Sequence, residues 1–118
     1  MKINPELSIE ALISEFSNQY PGLKMELYSQ SHEEGENSAQ SAIIDHQQKL
    51  GDVNPEIDSS DLMIDPQMTV AELEGKFKDI YGLNVQVFRR SNQLWLQTSA
   101  TDNWTLEVQN RKGLHSVQ

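Results

Sequence analysis

Ile64 to Arg89 reads IDPQMTVAELEGKFKDIYGLNVQVFR, and the chain states this pattern twice. Ile3 to Ser29 reads INPELSIEALISEFSNQYPGLKMELYS. Aligned, Ile3, Pro5, Leu12, Phe16, Tyr20, Gly22 and Leu23 recur as Ile64, Pro66, Leu73, Phe77, Tyr81, Gly82 and Leu83. Leu7 matches Met68, Ser8 matches Thr69, Met25 matches Val85, Leu27 matches Val87 and Tyr28 matches Phe88; only Pro21 has no counterpart. The chain therefore reads as two like units, residues 1–61 and 62–118, in one compact domain.

The local signals inside each unit agree. Met1–Asn4 and Leu62–Asp65 read as short strands, each stopped by a proline that offers no N–H to a ladder. Ser8 and Thr69 stand at helix N-caps, and Thr69 has Glu72 three residues on, the spacing of a capping box. Ile9, Leu12, Ile13, Phe16 and Tyr20 share one helical face, as do Val70, Leu73, Phe77, Ile80 and Tyr81. Gly22 and Gly82 are placed to end the helices with positive φ. Gly75 lies in a helix interior, where it costs about 1 kcal/mol against alanine. Leu23, Met25 and Leu27, and then Leu83, Val85 and Val87, alternate as strand faces do.

Past these strands the units diverge. A Ser91-Asn92 turn leads to Gln93–Thr98, QLWLQT, a hairpin partner. The same place in the first unit is the polar, apolar-poor stretch QSHEEGENSAQ, a mobile loop or a degraded hairpin. The match resumes with Ile44, Asp45, Gln47, Lys49 and Gly51 against Leu106, Glu107, Gln109, Arg111 and Gly113. Ser41–Leu50 and Asn103–Lys112 then read as short helices ended by glycine. Both long helices are expected on one side of the sheet.

The order strand, helix, strand, hairpin, then Asp102-Asn103-Trp104-Thr105-Leu106 opening a short helix resembles the β-grasp, or ubiquitin-like, fold. The likeness covers residues 62–117 and is fainter over the first unit. The tail ends His115-Ser116-Val117-Gln118 without a terminal Gly-Gly, so the resemblance implies neither conjugation nor sulfur-carrier chemistry. The two-unit layout is also similar to small uncharacterised bacterial proteins, which brings no function with it. The expected class is α+β: two pseudo-equivalent strand–helix–strand(–strand)–short-helix units sharing one core, β-grasp-like.

Charge separates the units more than apolar pattern does. The net charge is −9. Residues 1–61 hold twelve acidic and three basic side chains, whereas residues 62–118 hold six of each. An acidic surface repels phosphate backbones, which argues against nucleic acid as a partner. No cysteine is present, so disulfides and thiolate metal sites are excluded and a reducing compartment is compatible. No apolar run approaches membrane-spanning length. The expected setting is the cytoplasm.

Catalytic and cofactor signatures are missing. There is no P-loop, dinucleotide glycine fingerprint, nucleophile elbow or zinc motif. His32, His46 and His115 have no second ligand at metal-site spacing. The sequence thus assigns no catalytic residue, no cofactor and no metal. Two other clusters stand out. Arg89, Arg90, Trp95 and Trp104 form an aromatic-plus-basic group of the composition found at interface hot spots. Trp95 either packs under the second short helix or stands partly exposed beside Arg90. Glu33, Glu34 and Glu36 form an acidic loop whose spacing is not that of an EF-hand.

The leading expectation is a non-enzymatic protein-interaction or assembly module. The alternative is an acidic inhibitor or immunity-type protein, blocking a basic partner through Glu33, Glu34, Glu36 and Asp58. A third class, an enzyme, would require a deep pocket holding His46 or His115 beside a carboxylate. An open strand edge would let a second copy pair as a homodimer.

Overall fold

The computed structural model describes residues 1–29 and 43–116. Two long helices dominate it: α1, Ile9–Gln19, and α3, Val70–Tyr81. Each begins as its sequence requires. The Ser8 hydroxyl accepts the Ala11 N–H at 3.1 Å, and Thr69 accepts that of Glu72 at 3.1 Å. The Glu72 carboxylate returns to the Thr69 N–H at 3.3 Å, completing the capping box. The buried stripes are Ile9, Leu12 and Phe16 in α1, and Val70, Leu73, Phe77 and Tyr81 in α3.

The strands form two small antiparallel sheets. In the larger, β2 (Leu23–Tyr28) pairs with β4 (Asn84–Ser91), which pairs with β5 (Leu94–Gln97). In the smaller, β1 (Lys2–Ile3) pairs with β3 (Ser60–Asp61). The larger joins one unit to the other, the smaller pairs the start of the first unit with the residues at its boundary with the second, and both registers are centred on residues that correspond in the repeat. Glu26 faces Gln86, so Met25 faces Val87 while Leu27 faces Val85. Met1 and Leu62 exchange both backbone hydrogen bonds, at 2.7 and 3.0 Å. The first strand of unit two therefore lies two residues earlier than Leu62–Asp65, and only Leu62 of that stretch joins the pairing.

Leu23, Met25, Leu27, Val85 and Val87 share one buried cluster with Leu12, Phe16, Leu73 and Phe77. Both long helices thus cover one face of the larger sheet, and the two units close a common core. Ile80 does not belong to it. It is 59% exposed, whereas Glu74, one turn after Val70, turns its carboxylate inward to the Val87 N–H.

The short helices correct the second part of the sequence match. They are α2, Leu50–Val53, where the described part of the expected helix Ser41–Leu50 is not helical before Leu50, and α4, Leu106–His115, which lies three residues later than Asn103–Lys112. Residues 44–49 are not helical because their carbonyls serve α1. Gln48 and His46 accept the free N–H groups of Ile9 and Glu10, as Trp104 and Asp102 accept those of Val70 and Ala71. Leu50 and Leu106 donate in turn to Leu7 and Met68. Leu50 is therefore the counterpart of Leu106, and Ile44 is not. Neither Gly51 nor Gly113 ends a helix. Pro55 has no N–H with which to prolong α2.

The units also grip each other at the helix ends. Asn54, just past α2, donates its amide to the Tyr81 carbonyl at 2.7 Å. Its counterpart Asn110, in α4, accepts the Gly22 N–H at 2.7 Å. Gly82 has φ of 63°, as expected, but Gly22 does not have positive φ. Gly22 is needed for contact, because a Cβ there would run into the Asn110 carbonyl, and one at Gly113 into the Gly22 carbonyl. The described residues are thus α+β, with four α-helices among them. The β-grasp detail expected from the element order rests on that order alone.

Candidate functional site

The aromatic-plus-basic residues gather where β4, β5 and α4 meet, and the strand pleat divides them. Asn92 and Gln93 form the hairpin turn, one residue later than expected, with Asn92 at φ of 56°. Arg90 then stands opposite Trp95, and Arg89 opposite Leu96. Consecutive strand residues point to opposite faces, so the four candidates form two pairs rather than one cluster.

On the face away from the core, the Arg90 guanidinium carbon lies 5.9 Å from the centre of the Trp95 ring. Lys24, which faces Phe88 from β2, places its Nζ 5.3 Å from the same indole and 5.4 Å from the Phe88 ring. Trp95 does not pack under α4. It is 37% exposed, and Leu94 and Leu96 on the opposite face of β5 are 67% and 42% exposed.

On the helix side, Arg89 lies 5.5 Å and the Lys112 Nζ 5.8 Å from the Trp104 ring centre. A partly buried network, centred on the buried Gln109, fixes this second pair. Arg89 donates to the Gln109 side-chain oxygen at 3.0 Å, and Gln109 donates to the Thr101 carbonyl at 2.7 Å. Ser116, at the end of α4, accepts the Asn92 N–H at 3.1 Å, and its single hydroxyl proton lies within reach of the Gly113 carbonyl at 2.7 Å and the Arg90 carbonyl at 3.0 Å. Thr98 closes the hairpin base by donating to the Val87 carbonyl at 2.9 Å. The backbone of the hairpin is therefore tied down while its side chains stay open to solvent.

The cations here share a further property. Among the described residues, none of Lys24, Arg89, Arg90 and Lys112 lies within ion-pair distance of a carboxylate. In a chain with eighteen acidic side chains, that is not for want of acids.

The acidic cluster Glu33, Glu34 and Glu36, together with His32, lies outside the described residues; Asp58 is exposed. His46 stands 2.9 Å from a Glu26 carboxylate oxygen and ties the segment before α2 to β2. His115 lines a shallow cleft with Arg111 and Lys112, not with a carboxylate. Among the described residues no group of three or more His, Asp or Glu could hold a metal ion, and no helix is long and apolar enough to cross a membrane.

Glu74 is the residue that the sequence reading passed over. Its carboxylate accepts the Val87 N–H at 3.0 Å, on the part of β4 that β5 does not reach. Burial raises its carboxyl to about 7; the Val87 N–H opposes that rise and Asp102 adds to it. Beside it lies a cleft of about 180 Å³ between α3 and residues 83–86. The signal was available, since Glu74 replaces Ile13 of the first unit on an otherwise apolar face.

No protein-family model, no curated protein and no solved structure matches the chain.

Proposed function

We propose that the protein is a non-enzymatic protein-interaction module of the cytoplasm, and that it docks its partner through the β4–β5 hairpin. One observation carries this reading. All four residues of β5 are exposed, although three of them are Leu94, Trp95 and Leu96. Large apolar side chains on a fixed backbone lose little conformational freedom on binding, and Trp beside Arg is the common composition of binding hot spots. Neither nucleic acid nor a membrane is assigned as partner.

The test is capture of partners from the native host with the wild-type protein and with Trp95→Ala and Arg90→Ala. Recovery of the partner should fall in both variants, while their unfolding midpoints match the wild type because both positions are exposed. Unchanged recovery in both would remove the hairpin as the docking site. The alternative of an acidic inhibitor of a basic partner rests on Glu33, Glu34, Glu36 and Asp58. A second copy pairing at an open strand edge is the remaining assembly mode, and sizing in solution tests it.

A further inference from the structure

Resting on the docking site just proposed, we infer the chemistry of what docks there: an acidic polypeptide segment that also carries apolar side chains. The argument starts from the missing counter-charges. Lys24 and Arg90 flank Trp95, Arg89 and Lys112 flank Trp104, and no carboxylate of the described chain pairs with any of the four. Each cation instead rests on an aromatic ring, an arrangement that holds it in place without neutralising it. Five of the nine basic residues of the chain, with Arg111, belong to β4, α4 and the neighbouring strand β2. A site that fixes cations and leaves them unpaired is complementary to negative charge.

The total charge of −9 does not oppose this. Charges separated by more than about 8 Å are largely screened at physiological ionic strength, so contact is governed by the local cations. The apolar component decides between two kinds of anion. Leu94 and Leu96 are exposed on the face of β5 opposite to Trp95, where Leu96 stands across from Arg89. They offer nothing to a sugar-phosphate chain but match Leu, Ile or Phe side chains placed between acidic ones. Arg90 uses its Nε on the Asn92 carbonyl at 3.1 Å, and Arg89 is bound to Gln109, so both are held in place before binding.

The experiment is selection of short random peptides on the full-length protein, with the Arg90→Glu protein as soluble competitor. Affinities of the selected peptides, and of oligothymidine, are then measured by fluorescence anisotropy. The selected peptides should be net acidic with interspersed aliphatic or aromatic residues. Their affinity should fall about tenfold in Arg90→Glu and again when salt is raised severalfold. Peptides that depend on Arg90 and Trp95 but are neutral or basic would overturn the acidic chemistry and leave the docking site standing. Absence of enrichment, or binding that neither Arg90→Glu nor Trp95→Ala changes, would overturn both. Oligothymidine binding more tightly than any selected peptide would overturn the proposal in favour of nucleic acid.

Discussion

Glu26 and Gln86 face each other across β2 and β4, both buried, and each is the other's counterpart in the repeat. The antiparallel pair is thus built like the interface of a two-fold dimer, in which one patch meets its own copy. Such a centre penalises identical charges, because the same side chain meets itself at the axis. The chain has a carboxylate on one side only, and His46 stands 2.9 Å from it.

Gln86→Glu should therefore destabilise the fold. Two carboxylates would be buried face to face, and the bond from the Gln86 amide to the Val87 carbonyl would be lost. A cost of about 1–3 kcal/mol is expected at neutral pH, shrinking in acid as carboxylates take up protons. Urea titrations of both proteins across pH measure it. A loss that does not vary with pH would mean that the two positions do not interact.

The register was nearly written in the sequence. Matching Met25 to Val85 and Leu27 to Val87 already implies that, if the strands pair antiparallel about a symmetric centre, Glu26 meets Gln86. The long helices were legible for the same reason: capping hydroxyls and apolar stripes act locally. The first short helix was not, because residues 44–49 are shaped by the bare N–H groups of α1, which lie far away in sequence; the second was legible to within three residues. Ile80 misled for another reason. It satisfies helical spacing, but Val70, Leu73, Phe77 and Tyr81 already fill the face that meets the sheet. In the candidate site, the residue types were visible and their division between two faces followed from the pleat. The partners Lys24 and Lys112 come from other elements, so only the fold brings them to the indoles.

Glu74 makes stability depend on pH with a definite sign. Its carboxyl is raised from 4.5 to about 7, so the folded state favours the proton. The contribution is complete below pH 4.5 and is lost as pH rises through about 7. Relative to wild type, Glu74→Gln should gain on the order of 3 kcal/mol between those limits and nothing further above them. The glutamine can still accept the Val87 N–H, so the comparison isolates the titration. Chemical unfolding of the two proteins over this range decides it, and a constant difference would contradict the assignment.

Asn54 and Asn110 occupy matching places but work in opposite senses. Asn54 donates to a carbonyl, and Asn110 accepts an N–H. Replacement by aspartate should separate them. Asn54→Asp sets a carboxylate against the Tyr81 carbonyl and should cost about 1–3 kcal/mol. Asn110→Asp keeps the acceptor for Gly22 and should stay within about 1 kcal/mol of wild type. Equal losses in thermal unfolding would show that the helix-end contacts are not polarised in this way.

Two helical glycines should respond to alanine with opposite signs. At Gly75 an added Cβ meets nothing within 4 Å, and α3 carries only the entropic cost of glycine there. Gly75→Ala should therefore stabilise the protein by about 0.5–1 kcal/mol. At Gly113 the added carbon would collide with the Gly22 backbone, which cannot retreat without breaking the bond to Asn110. Gly113→Ala should destabilise by about 1–3 kcal/mol and loosen α4 from the turn before β2. Hydrogen exchange at the Gly22 amide is the local measurement, and it should speed up in Gly113→Ala but not in Gly75→Ala. If both substitutions stabilise, α4 does not rest on Gly22, and the reciprocal grip between the two units is lost at one of its two points.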